Sequence, residues 1–151
     1  MSKALNQIAM KILSGIGGSS GALFGTLFMT MSKVSNIDDG IDYKKAINMF
    51  VDGVEAVKQR GKADVGEKTM MDVLIPVANC LKEGVEKDID LKDLMMETIE
   101  TAEKGMLSTK NLLATKGRAS FLGERSKGHI DPGARSSQLI IKTVCMSILN
   151  T

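Results

Sequence analysis

The chain has 151 residues, enough for one domain with a substantial hydrophobic core. Hydrophobic residues make up 43% of it but aromatic residues only 3%, with 11 Met and no Trp, which favours helix-on-helix packing. A net charge of +2 and few aromatic side chains argue against nucleic-acid and membrane partners, and no apolar stretch is long enough to cross a bilayer. We expect a soluble, cytoplasmic, all-α protein in which Cys80 and Cys145 are small buried hydrophobes.

Apolar side chains recur at helical spacing in six stretches, which predicts six α-helices. Asp42 and Asp90 are placed to cap the third and the fifth. The second is apolar on nearly all sides, as is typical of a central, buried helix, and Pro76 is expected to kink the fourth. We predict a single domain, residues 1–151, folded as an antiparallel helical bundle or barrel. The predicted helices are Leu5 to just before Gly15, Ala22 to about Ser35, Tyr43 to about Gly61, Thr69 to Glu86, Leu91 to about Thr115, and Ala134 to Leu149.

A first candidate site is the run Gly-Gly-Ser-Ser-Gly at residues 17–21, which opens the second helix. Free backbone N–H groups, the hydroxyls of Ser19 and Ser20 and the positive end of the helix dipole can hold a phosphate there. The alternative is a tight turn in which glycine permits close approach of two helices. The spacing alone leaves both interpretations open.

A second candidate is the segment from Gly61 to Thr69, which superficially resembles a phosphate-binding P-loop. In that motif Lys directly follows the second Gly and a strand precedes it, whereas here Glu67 intervenes and no strand is predicted. We therefore reject a P-loop. Lys62, Lys68 and Thr69 remain candidates to face an anion, and a solvated loop is the alternative.

The third candidate is the long connection from Lys116 to Gly133, which is rich in glycine and charge and holds the only histidine, His129. Arg118 and Arg125 carry planar guanidinium groups suited to phosphate oxygens. The turn Asp131-Pro-Gly133 leads into the last helix. We interpret His129 as structural more readily than as a catalytic base. Together the three segments indicate a nucleotide or phosphate held at one end of a bundle.

The acidic run Ile37 to Asp42 resembles a carboxylate metal site, because Mg²⁺ prefers such ligands. A capped turn between helices explains the run equally well. We do not count it as a metal site.

These segments resemble the nucleotide-binding subunit (subunit L) family of bacterial dihydroxyacetone kinases fed by a phosphotransferase system. The similarity extends through essentially the whole chain and is most specific in its last segment. The segments that carry it are Gly17 to Thr26 (GGSSGALFGT), Gln59 to Ala63 (QRGKA), Gly66 to Met70 (GEKTM) followed by Asp72, and Lys116 to Gly133.

The resemblance implies a barrel of eight helices that holds ADP at one end. In this family a phosphohistidine on a phosphotransferase-system partner converts ADP to ATP, and the γ-phosphoryl group then passes to dihydroxyacetone on a separate kinase subunit. The fatty-acid kinase nucleotide domain is an alternative that fits less well, because residues 119–126 resemble the dihydroxyacetone kinase type. Carried over by motif, the predicted nucleotide-binding residues are Gly18, Ser19, Ser20, Gly61, Thr69, Met70, Arg118, Asp131, Pro132 and Gly133.

The chain departs from the family pattern at its start. The family binds two Mg²⁺ through an Asp-rich loop between its first two helices, but residues 1–16 contain no Asp, Glu or His. We expect an N-terminally truncated member without the Mg²⁺ ligands, which binds nucleotide weakly and has no kinase activity alone. Exposed helix faces are then expected to be covered in a homo-oligomer. The alternative is a non-catalytic, metal-free interaction or regulatory remnant of the subunit.

Overall fold

The computed structural model describes residues 2–34 and 42–151, and its regular structure within those ranges is entirely helical. The predicted all-α class and the six α-helices are confirmed. The chain divides into two compact units, Met1–Lys62 and Ala63–Thr151. The helices are α1 (Ser2–Gly15), α2 (Gly18–Val34), α3 (Tyr43–Gly61), α4 (Met71–Glu86), α5 (Leu91–Ser108) and α6 (Pro132–Leu149), with 3₁₀ helices at Thr109–Asn111 and Arg118–Ser126.

Unit 1 holds α1, α2 and α3, with α2 packed against both of the others. Glycine makes the α1–α2 packing possible, because a Cβ on Gly21 would collide with the carbonyl oxygen of Ile16. The predicted cap of α3 is confirmed: the Asp42 side chain accepts a hydrogen bond from the backbone N–H of Lys45 at 2.7 Å. Because α2 packs against both α1 and α3, the central place predicted for the second helix is confirmed within this unit.

Unit 2 holds α4, α5 and α6, and α5 packs against both of its neighbours. The start of α4 lies against the end of α5, where a Cβ on Gly105 would collide with the carbonyl oxygen of Asp72. Asp90 caps α5 as predicted by accepting the Lys92 N–H at 3.0 Å. The core is aliphatic and thioether-rich, as the composition indicates; its most buried members include Met71, Val73, Leu74, Val77, Leu94 and Ala102.

Several predicted helix ends differ from those in the structure, most of all the end of α5, and α1 begins at Ser2 rather than Leu5. α2 begins at Gly18 rather than Ala22, so Ser19 and Ser20 lie in its first turn. α5 ends at Ser108, not near Thr115, because the carbonyl groups of Thr109 and Lys110 bond to distant parts of unit 2. α6 begins at Pro132, whose ring is compatible with the first helical turn and needs no N–H partner there.

Pro76 lies inside α4, and the kink expected there stays a prediction. Cys80 and Cys145 are both free thiols; Cys145 is buried and Cys80 is half-buried. The acidic run beginning at Ile37 falls outside the described residues except for Asp42, the cap of α3. Of the helices in the described ranges, none combines the length and the apolar character needed to span a bilayer.

Candidate functional site

The start of α4, the end of α5 and the start of α6 lie together at one end of unit 2. The Thr109 hydroxyl accepts the backbone N–H of Asp131 at 3.0 Å, and the Arg135 guanidinium lies 3.3 Å from the sulfur of Met106. Because these helices run alternately away from and toward this end, residues 63–70 and 109–133 lie here. We call these two segments the loop end of unit 2.

The first loop-end segment is folded onto α4 by Asp72. One carboxylate oxygen of Asp72 accepts the N–H of Gly66 at 2.6 Å, and the other accepts the N–H of Thr69 at 2.8 Å. The Thr69 hydroxyl in turn accepts the N–H of Met71 at 3.1 Å. This pair resembles a capping box, in which side chains satisfy backbone groups at the helix start, except that the hydroxyl accepts the N–H of Met71 instead of that of Asp72.

Lys68 is buried, with 4% of its surface exposed, and does not face solvent. Its Nζ donates hydrogen bonds to the backbone carbonyl oxygens of Thr109 and His129. The interpretation that Lys68 is available to an anion was therefore wrong, because the side chain joins the two loop-end segments from inside. Lys62, by contrast, is exposed at the left-handed C-cap of α3, in unit 1.

Asp131 caps α6 by accepting the N–H of Ala134 at 2.8 Å. Burial raises the pKa of the Asp131 carboxyl, while the N–H groups of Ala134 and Gly133 and the Lys68 ammonium act in the opposite direction. A Cβ built on Gly133 would lie 3.4 Å from the Cβ of Met70. The predicted residues Met70, Asp131 and Gly133 are thus brought together, and Pro132 is the first residue of α6.

Glu67 connects the first loop-end segment, residues 63–70, to the second, residues 109–133. Its carboxylate accepts the Thr115 hydroxyl at 3.1 Å and lies 3.7 Å from the Lys116 ammonium. The pKa of Glu67 is lowered, chiefly by the backbone N–H of Asp64, which it accepts at 2.7 Å. Arg118, two residues beyond Lys116, is exposed.

The second loop-end segment, residues 109–133, has a defined fold. The buried Ser126 hydroxyl accepts the N–H of Ala114 at 3.0 Å, and the Gly128 N–H bonds to the Lys110 carbonyl at 2.7 Å. Gly123, at φ +54°, interrupts the second 3₁₀ helix with a conformation that favours glycine. His129 contributes its backbone carbonyl to the Lys68 contact and is exposed, and its interpretation as a structural rather than a catalytic histidine stays a prediction.

The three candidate segments lead into α2, α4 and α6, and these helix starts differ in the hydrogen-bond donors that they can offer an anion. At α4 the Met71 N–H is bound by Thr69 and the Thr69 N–H by Asp72, and at α6 the Ala134 N–H is bound by Asp131. At α2, Gly18, Ser19 and Ser20 are all exposed. In unit 1, then, this exposed turn keeps the features of a phosphate site.

Gly61, the remaining predicted residue, ends α3. A Cβ there would lie 3.2 Å from Cδ2 of Leu23, so glycine permits close packing on α2. Sequence reasoning missed the roles of Lys68 and Asp72. The spacing of Thr69 and Asp72, a hydroxyl residue followed three positions later by a carboxylate, was a signal for an arrangement that resembles a capping box. No comparable local signal marks Lys68.

Comparison with known proteins identifies relatives over most of the chain. The family model described as "DAK2 domain" matches residues 1–146. The chain is 38% identical over 143 residues to the ADP-binding subunit DhaL of the PEP-dependent dihydroxyacetone kinase of Escherichia coli, covering 95% of this chain and 68% of that protein. It is 45% identical over 131 residues to a DhaL subunit of Listeria innocua, covering 87% of this chain and 60% of that protein.

The match is to part of longer proteins. The chain is 30% identical to the triokinase/FMN cyclase of Rattus norvegicus, in a match that covers 99% of this chain but 25% of that protein. The crystal structure of the dihydroxyacetone kinase of C. freundii has the same fold, with a TM-score of 0.66 and 23% identity over 97% of this chain and 24% of that chain. The chain thus spans about two thirds of the length of the DhaL subunits and a quarter of the larger enzymes. On the family match and these identities, the chain belongs to the DAK2 domain family.

Proposed function

We propose that the chain is the nucleotide-binding subunit of a dihydroxyacetone kinase, a phosphotransferase that acts in the cytoplasm. The phosphoryl group would come from a phosphohistidine on a phosphotransferase-system subunit, pass through bound ADP/ATP and end on dihydroxyacetone held by another kinase subunit. The observation that carries this proposal is the identity of 38–45% to ADP-binding subunits over most of the chain.

Within unit 1 we assign the phosphates to the first turn of α2. Gly18, Ser19 and Ser20 are exposed there, so backbone N–H groups and two hydroxyls are accessible where the helix dipole is positive. Gly21 allows α2 to begin this close to α1. We include Gly61, at the end of α3, among the residues near the nucleotide.

Within unit 2 we assign a supporting surface to Thr69, Met70 and the start of α6 from Asp131 to Gly133. The N–H groups of Met71 and Ala134 there already have side-chain acceptors, so we assign no phosphate to this surface. Arg118 is exposed, and its guanidinium group would bind an anion.

The bound nucleotide would supply the phosphoryl group, and the role of this chain would be to bind and orient it. We assign no step to Mg²⁺, because within residues 2–34 and 42–151 no three or more His, Cys, Asp or Glu side chains form a group able to hold a metal. A structure of the C. freundii kinase contains AMP-PNP and Mg²⁺. We accordingly propose that this chain alone transfers no phosphoryl group, since that reaction depends on metal-bridged phosphate oxygens.

The assignment of phosphates to α2 is tested by replacing Ser19 and Ser20 together with Ala and titrating with ADP and with adenosine. Loss of two hydroxyl contacts is expected to weaken ADP binding about tenfold and to leave adenosine binding unchanged. The control is Ser14→Ala, since that exposed hydroxyl bonds within α1. Equal losses for both ligands, or unchanged ADP binding, would contradict the assignment.

We also propose that α6 contributes to a homo-oligomer. Ile140, Val144 and Ile148 recur every four residues and are 39%, 54% and 40% exposed, which gives a continuous apolar stripe. Light scattering of the purified chain should report more than one copy per particle. Replacing Val144 with Glu should give monomers, and a monomeric unmodified chain would refute the oligomer.

A further inference from the structure

Lys68 combines two features that are individually unfavourable. Its backbone is left-handed, at φ +60°, although it is not glycine, and its long cationic side chain is buried. A side chain that is both strained at the backbone and desolvated at its charge persists only where its surroundings hold it in place. The contacts of the Lys68 ammonium therefore show what that conformation provides.

The ammonium bridges two segments far apart in sequence. It donates to the carbonyl oxygen of Thr109, just after α5, and to that of His129, just before the cap of α6. The Thr109 hydroxyl also accepts the N–H of Asp131 at 3.0 Å. The chain leading into α6 is thus held at two points, by Lys68 at His129 and by Thr109 at Asp131.

Two carboxylates accompany this ammonium. Asp131 lies close enough that the Lys68 charge opposes the increase of its pKa caused by burial, and Asp72, 1% exposed, also acts on Asp131 electrostatically. Asp72 in turn fixes the backbone on both sides of Lys68 through the N–H groups of Gly66 and Thr69. The strained residue is therefore held by α4, and its side chain holds the start of α6.

We propose that Lys68 is a positioning residue that sets the segment from His129 to Gly133 against Met70. This inference rests on the proposed function, because Met70 and the segment Asp131 to Gly133 are among the residues assigned to the nucleotide. Lys68 does not touch the nucleotide in this account. It acts through the carbonyl groups of Thr109 and His129, and the contact between Gly133 and Met70 depends on it.

The variant Lys68→Met keeps the length of the side chain and removes the ammonium, and Lys68→Arg keeps a cation. Lys92→Met is the matched control, because Lys92 is exposed at the opposite end of unit 2 and its loss changes the net charge equally. The first measurement, without nucleotide, is amide hydrogen exchange at residues 128–134, except Pro132, which has no amide hydrogen, compared with Val73, Leu74 and Val77 in the core. The second is the affinity for ADP.

Lys68→Met is expected to speed exchange at residues 128–134 and to weaken ADP binding, each about tenfold, as for loss of a hydrogen-bonded charge. Exchange in the α4 core is expected to stay slow. Lys68→Arg should lie between Lys68→Met and the unmodified chain, and Lys92→Met should match the unmodified chain. If Lys68→Met does not fold, Lys68→Arg with faster exchange confined to residues 128–134 supports the same conclusion.

The inference is overturned if Lys68→Met leaves exchange at residues 128–134 unchanged, or speeds exchange equally throughout unit 2, since the latter reports only global stability. It is also overturned if exchange changes locally but ADP affinity does not. Failure of the unmodified chain to bind ADP would refute the proposed function instead. The exchange pattern would then decide separately whether Lys68 holds the segment.

Discussion

The side-chain carboxylate of Asp131 accepts the backbone N–H of Ala134 at 2.8 Å, in surroundings buried enough to raise its pKa. Two opposed effects therefore meet at the start of α6. The cap stabilises the helix, whereas desolvation of the charge destabilises it. Neutral and apolar replacements separate the two effects.

Asp131→Ala removes the cap, and the free energy of unfolding is expected to fall by about 1 kcal/mol. Asp131→Asn keeps an acceptor for the Ala134 N–H and removes the desolvated charge, so its loss should be smaller. Urea denaturation of the three proteins at neutral pH measures both. Equal losses in the two variants would show that the charge rather than the hydrogen bond stabilises α6.

The difference between Asp131→Asn and the unmodified chain should also depend on pH. Because the folded pKa of Asp131 is raised above the ordinary value of 3.8, its contribution to stability is fully present below that value and is lost as the pH rises through the folded pKa. The Asn variant should gain in relative stability over that interval and be constant above it. Parallel stability curves from acid to neutral pH would contradict the raised pKa.

Asp72→Asn is expected to destabilise unit 2 by about 1–3 kcal/mol, because an amide can accept only one of the two N–H groups that the carboxylate now accepts. Chemical denaturation gives the value. Asp93→Asn is the control, since Asp93 is exposed in the first turn of α5 and should change stability by less than about 0.5 kcal/mol. Similar losses of stability in the two variants would contradict a structural role for Asp72.

Gly105→Ala is expected to cost about 1–3 kcal/mol, because the added methyl group would collide with the Asp72 carbonyl where α5 crosses the start of α4. Gly15→Ala is the comparison: no atom lies within 4 Å of a Cβ added there. In thermal unfolding, the midpoint temperature should fall for Gly105→Ala and stay unchanged for Gly15→Ala. Unchanged stability would mean that the two helices do not approach as described.

The two thiols should differ in reactivity. Burial, and secondarily Cys80, raises the pKa of Cys145 to about 11, so little thiolate is present at pH 8. Alkylation of the native protein followed by peptide mass spectrometry should modify Cys80 first. Cys145 should react only when urea unfolds the chain, and its rapid alkylation in the folded protein would contradict the buried site.

Sequence periodicity and capping residues predicted the helices well where the ends are set locally. Asp42 and Asp90 cap α3 and α5 through their own neighbouring N–H groups, and both were identified from residue type and position alone. Close packing of α1 on α2 was also one of the two interpretations of the glycines at residues 17–21.

The end of α5 and the interior of the loop end depend on contacts that sequence spacing does not encode. Lys68 reaches Thr109 across 41 residues and His129 across 61, and these bonds replace the continuation of α5. Lysine is ordinarily exposed, so the sequence favoured a solvated or anion-facing side chain. The family resemblance supplied Met70 and Asp131 as site residues but gave no role for Lys68.

An NMR titration of the unmodified chain with ADP tests the central claim most directly. The account predicts saturable shifts at the amides of residues 18–21, 69–70, 131 and 133, with a dissociation constant on the order of 1 mM, in keeping with the weak nucleotide binding expected from the sequence. Amides at the far end of unit 2, around residues 87–92, should not move. No saturable shift at millimolar ADP, or shifts confined to other regions, would contradict the assignment of a nucleotide site to this chain.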